Sequence, residues 1–75
     1  MKQTIRVNCY SGQTYAERPE SFIWEGTEYK VAKLEKEWLE PGEKHFLVRT
    51  EDKKLFELCY YEQSDEWSGV ELVGG

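Results

Sequence analysis

Long apolar runs are missing from this chain of 75 residues, so no segment reaches the roughly 20 apolar residues that a membrane-spanning helix needs. The opening stretch MKQTIRVNCYSG has no apolar segment of signal-peptide length, so the expected location is the cytoplasm. Cysteine is scarce. Cys9 and Cys59 read as reduced thiols in that compartment, with a disulfide open to them only if their strands are neighbours. Histidine is scarcer still: there is only His45. One histidine and two cysteines fifty positions apart match no zinc-ligand spacing. No nucleophile-elbow or phosphate-cradling glycine motif is present. His45 therefore reads as a surface histidine, and the acids Glu62, Asp65 and Glu66 as a solvated loop. The expectation is no catalytic residue, no metal ligand, no cofactor and no enzymatic activity. Positive charge is also in short supply. A formal net charge of -5 disfavours nucleic acid as a partner, because phosphate binding needs a basic footprint.

What the chain does have is rings: three Trp, five Tyr and three Phe. A domain this small buries only about 60% of the surface its unfolded chain exposes. Large side chains are how it obtains a core without metal or disulfide, since each buried ring removes roughly 150–250 Å² from water. The length is that of a single domain, residues 1–75, with 1–3 and 74–75 expected to fray.

Period-two alternation organises most of the chain. In TIRVNCY, Ile5, Val7 and Cys9 share one face and Thr4, Arg6, Asn8 and Tyr10 the other, the pattern of a half-buried strand. A loop over 11–19 ends at Arg18-Pro19. Phe22 and Trp24 then share a strand face, Glu25-Gly26 supplies a hairpin turn, and Tyr29 and Val31 share a face of the returning strand. Residues 31–39 are ambiguous. Val31, Leu34, Trp38 and Leu39 sit at helical spacing, whereas a strand here needs a bulge near 31–32. Hairpins on either side favour the bulged strand; a single helical turn over 35–39 is the compromise. Pro41-Gly42 signals a type II turn. HFLVRT (45–50) and LFELCYY (55–61) are strands around the polar turn 51–54, and EWSGVELV (66–73) is a last strand in which Gly69 marks a bulge or a close backbone approach.

Both faces of 55–61 are apolar: Phe56, Leu58 and Tyr60 on one, Leu55, Cys59 and Tyr61 with Glu57 on the other. The fold expected is therefore all-β: an antiparallel meander of five to six strands forming a small SH3-like barrel or a curled sheet.

The run Arg18-Pro19, Phe22, Trp24, Gly26, Tyr29, Val31, Trp38, Phe46-Leu47-Val48-Arg49-Thr50, Phe56-Glu57-Leu58 and Trp67 resembles a family of small bacterial domains of unknown function. Members are in some cases encoded near error-prone Y-family DNA polymerases. The resemblance implies a setting in damage-induced mutagenesis and supplies no catalytic residue.

Apolar surface left over by so small a core makes a protein-interaction adaptor the leading functional expectation, as a monomer or a homodimer with no membrane association. The candidate contacts are Tyr10, Trp24, Trp38, Tyr61 and Trp67, with Arg18 and Arg49 as anchors. Two alternatives stand beside it. One is a nucleic-acid-associated module in repair that stacks bases on exposed rings. The other is a carrier of ubiquitin-like type using the terminal Gly74-Gly75, although no helix follows the first hairpin as such a fold requires.

Overall fold

The computed structural model describes residues 3–9 and 19–72. Six strands follow one another: β1 (Gln3–Cys9), β2 (Pro19–Trp24), β3 (Thr27–Glu40), β4 (Glu43–Thr50), β5 (Leu55–Tyr61) and β6 (Glu66–Leu72). Each pairs antiparallel with the next, and β6 returns to β1, so the sheet closes into a barrel. Among the described residues there is no helix.

Turn chemistry sets the meander. Glu25 and Gly26 both take positive φ, 50° and 81°, between the paired Trp24 and Thr27. Positive φ at both central residues is the condition for the two-residue turn whose twist matches its flanking strands. At Pro41-Gly42 the glycine takes φ 75°, as a type II turn requires, and Glu40 faces Glu43 across it.

The ambiguous segment is strand throughout, and its helical spacing has a physical origin. The register of β3 against β4 shifts twice, between Val31 and Lys33 and between Leu34 and Lys36. Each shift inserts one extra residue. The first brings Val31 and Leu34, three positions apart, onto the same inward face, where both pack against the core. The first bulge thus imitates the i, i+3 step of a helix, while the second turns Lys36 and Trp38 to the outer face.

The core consists of Ile5, Phe22, Trp24, Phe46, Val48, Phe56 and Leu58, with Val7, Tyr29, Val31, Leu34 and Trp67 packed on it. Phe56 is its hub. Its ring lies 4.9 Å from that of Phe22, 5.4 Å from Trp24 and 5.2 Å from Tyr29. The aromatics of the first hairpin therefore hold β2 and β3 onto β5. Gly69 is a close approach: a Cβ there would sit 2.9 Å from Ile5 Cδ1 and 3.1 Å from Leu58 Cδ2.

Candidate functional site

Directly opposite residues of an antiparallel sheet project from the same face. Phe46, Val48, Phe56 and Leu58 point inward, so His45, Leu47, Glu57 and Cys59 point outward. The register aligns these outward groups in rows across four strands. One row runs Trp38, His45, Cys59, Ser68; the row nearer the Pro41-Gly42 turn runs Glu40, Glu43, Tyr61, Glu66. On the other side Lys36, Leu47, Glu57 and Val70 form a third row, and Leu55 pairs with Leu72 beyond it.

The middle row is unusual for an outer face because His45, Cys59 and Ser68 are all buried, the first two at 6% and 2% exposure. Trp38 accounts for part of this. Its ring lies parallel to that of His45, with centroids 5.1 Å apart and planes 5° from each other. Lys36 Nζ sits 5.7 Å from the Trp38 ring centroid and adds a cation on its face.

The polar atoms beneath converge. His45 Nε2 is 3.0 Å from Glu43 Oε1 and 3.6 Å from Glu40 Oε1. Cys59 Sγ lies 3.7 Å from the same Glu43 oxygen and 3.9 Å from Nε2. On the far side of the imidazole, Nδ1 is 3.4 Å from Glu57 Oε2 without hydrogen-bond geometry, and it is buried with no hydrogen-bond partner. The ligand-type atoms of Glu43, His45 and Cys59 all lie within 4.8 Å of one another. His45 is thus not the surface histidine the sequence suggested. Metal chemistry was set aside because one histidine and two cysteines fifty positions apart match no zinc-ligand spacing, yet the fold pairs His45 with Cys59 across β4 and β5. The available signal was Glu-x-His at 43–45, which on a strand places both side chains on one face.

Nucleophilic catalysis fits this cluster poorly. With Cys59 only 2% exposed, an acyl carbon cannot reach Sγ while the sheet face keeps its packing. Beside the cluster, Pro41, Gly42, Glu43, Tyr61, Gln63, Ser64 and Glu66 line an open depression of about 450 Å³.

The candidate contacts suggested by the sequence separate. Trp24 is 6% exposed and stacks edge-on against Phe56, so it is core and offers nothing to a partner. Trp67 is half-buried against Phe46 and Tyr60 at the barrel end. Trp38 and Tyr61 do share the outward face, where Ser68 Oγ donates to Tyr61 Oη at 3.2 Å. Arg49 also lies there, but its Nε is held 3.0 Å from Glu35 Oε2. Tyr10, Arg18 and the Gly74-Gly75 tail lie outside the described residues, as does the side chain of Cys9. The acidic loop is exposed as expected, with Asp65 Oδ1 accepting the Tyr60 hydroxyl at 2.6 Å. No helix among the described residues is long and apolar enough to cross a membrane.

The chain matches no family model, no curated protein and no solved structure.

Proposed function

We propose that this barrel is a non-enzymatic module that docks a protein partner on the outward face of β4, β5 and β6. One observation carries the reading: Leu47, Leu55, Val70 and Leu72 form a half-buried aliphatic patch on that face, around Glu57, while the interior is already filled by other side chains. None of these four side chains belongs to the core cluster. Apolar groups gathered on one face, rather than scattered singly, mark an interaction surface.

The rim defines the partner. Glu40, Glu43, Glu57 and Glu66 lie on this face, in a chain of net charge -5, while the cations beside the patch are Lys36 and Arg49, the latter paired with Glu35. The complementary surface is a protein with an apolar centre and a Lys/Arg border, since opposite potentials favour and orient docking. Trp38 and Tyr61 at the margin supply ring area of the kind enriched in interfaces. Nucleic acid is the weaker occupant, because the same acids repel phosphate.

A photo-crosslinking residue placed at Leu55, and separately at exposed Glu28, tests this in the cell that makes the protein. The reading expects one discrete heterologous protein adduct from position 55 and none from 28. Equal labelling at both positions, or a self-adduct alone from 55, contradicts it.

A further inference from the structure

Each way of placing one proton on His45 leaves a conflict. With the proton on Nε2, that nitrogen donates to Glu43 Oε1 at 3.0 Å, but Nδ1 is then a buried acceptor with no donor, and its nearest charged neighbour is Glu57 Oε2 at 3.4 Å, off the hydrogen-bonding direction. With the proton on Nδ1, the lone pair of Nε2 faces two carboxylate oxygens, those of Glu43 and Glu40, and the Cys59 sulfur. A neutral imidazole donates through one nitrogen and accepts through the other, so it cannot serve carboxylates on both. A metal ion at Nε2, with the proton on Nδ1, would meet the carboxylate oxygens and the sulfur gathered on that side.

The sulfur and the spacing favour the metal. Tetrahedral zinc, with bonds of about 2.3 Å to sulfur and about 2.0–2.2 Å to nitrogen and oxygen, sets ligand–ligand edges of roughly 3.4–3.6 Å. The three edges here are 3.0 Å (Glu43 Oε1 to Nε2), 3.7 Å (Glu43 Oε1 to Sγ) and 3.9 Å (Nε2 to Sγ). The in-plane point equidistant from these three atoms lies about 2.1 Å from each, so an ion at ligand-bond length would sit close to their plane, and the 3.0 Å edge has to open slightly for a tetrahedral centre. A histidine that binds a metal through one nitrogen characteristically presents the other to a carboxylate. Glu57 stands in that outer position. The His45 side chain is 7% exposed, which keeps competing water away.

We propose that Glu43, His45 Nε2 and Cys59 bind a zinc-type divalent ion, with the proton on Nδ1, on the side of the ring where Glu57 stands. Thiolate and imidazole together select such an ion over magnesium or calcium. The Glu40 carboxylate, 3.6 Å from Nε2 on a side chain 55% exposed and so able to swing, is the group best placed for the fourth position. The site lies at the edge of the proposed docking face but needs no partner, so either reading can fail without the other.

Cobalt(II) titration of the reduced, chelator-treated full-length chain tests the site. One equivalent is expected to raise a thiolate-to-cobalt charge-transfer band that zinc(II) abolishes by displacement. Cys9→Ser keeps the band and Cys59→Ser loses it. Because Cys59 is buried, its variant is paired with substitutions that spare the packing. Glu57→Gln is expected to weaken binding by about 10–100-fold, the range for an outer-shell partner, and Glu43→Gln by more. Glu62→Gln, on the exposed loop, leaves affinity unchanged. Absence of the band in the wild-type chain overturns the assignment. A band that survives Cys59→Ser, or that disappears with Cys9→Ser, overturns it equally.

Discussion

His45 on β4 and Cys59 on β5 stand directly opposite each other, Nε2 to Sγ 3.9 Å, because the hairpin closes on a Thr50–Lys54 hydrogen bond rather than on a Thr50–Leu55 pair. Thr50 N–H donates to the Lys54 carbonyl at 2.8 Å, which closes the loop over Glu51, Asp52 and Lys53. The Thr50 hydroxyl accepts from Lys54 N–H at 3.0 Å and donates to Asp52. Lys53 takes φ 71°, the left-handed third residue typical of such loops. A four-residue turn would set His45 against Tyr60 and Phe46 against Cys59, mixing outward with inward side chains.

Lys53 pays for this geometry, since the left-handed region costs an L-residue about 1–2 kcal/mol. Lys53→Gly removes that cost, offset by the roughly 0.5–1 kcal/mol of extra freedom glycine gains in the unfolded chain. The expected net effect is a stabilisation of up to about 1 kcal/mol, read as a higher urea midpoint with an unchanged slope. A lower midpoint would mean that the Lys53 side chain contributes more than its backbone costs.

Trp24 and Trp38 should respond differently to truncation. Trp24→Ala empties a place beside Phe56 and is expected to cost about 3–5 kcal/mol. Trp38→Ala removes a ring stacked on His45 at the barrel surface and should cost about 1 kcal/mol. Urea unfolding of the two variants side by side measures the difference. Equal losses would show that Trp38 is as much a part of the core as Trp24.

Much of the barrel is visible in the alternation of residues. The inward set Phe46/Val48 and Phe56/Leu58 and the Glu25-Gly26 and Pro41-Gly42 turns follow from the spacing of apolar residues and glycines. The strand over 31–39 was harder, because a bulge placed Val31 and Leu34 on one face with a three-residue interval. Of the polar cluster only the Glu43-x-His45 spacing was legible. The turn over 51–54 was read from its polar residues and stands between β4 and β5, but the register across it is set by a left-handed lysine, a residue type that carries no turn signal, so the partners of His45 stayed hidden. Trp24 was offered as a contact because a period-two pattern marks a face without saying whether that face looks into the barrel or out of it.

Gly69→Ala tests the contact between β6 and the core. The added methyl would meet Ile5 Cδ1 at 2.9 Å and Leu58 Cδ2 at 3.1 Å. Both are ends of side chains that can shift, so the expected cost is near the lower end of the about 1–3 kcal/mol for overpacking. A thermal midpoint equal to that of the wild type would contradict the packing described for Gly69.

Single-stranded oligonucleotide is expected to leave the tryptophan emission unchanged at low salt. The net charge of -5 opposes phosphate, Trp24 is buried, and Trp38 already stacks on His45. Saturable quenching that weakens as salt is added would instead support the nucleic-acid reading.

The docking face is tested most directly by the affinity of the crosslinked partner, once purified, for the wild-type chain and for the Leu55→Asp/Leu72→Asp variant. These residues pair across β5 and β6 outside the core, so the variant should keep its circular dichroism spectrum and unfold cooperatively. The account expects its affinity to fall at least about tenfold, a loss of about 1.4 kcal/mol or more. Unchanged affinity in a folded variant would contradict it.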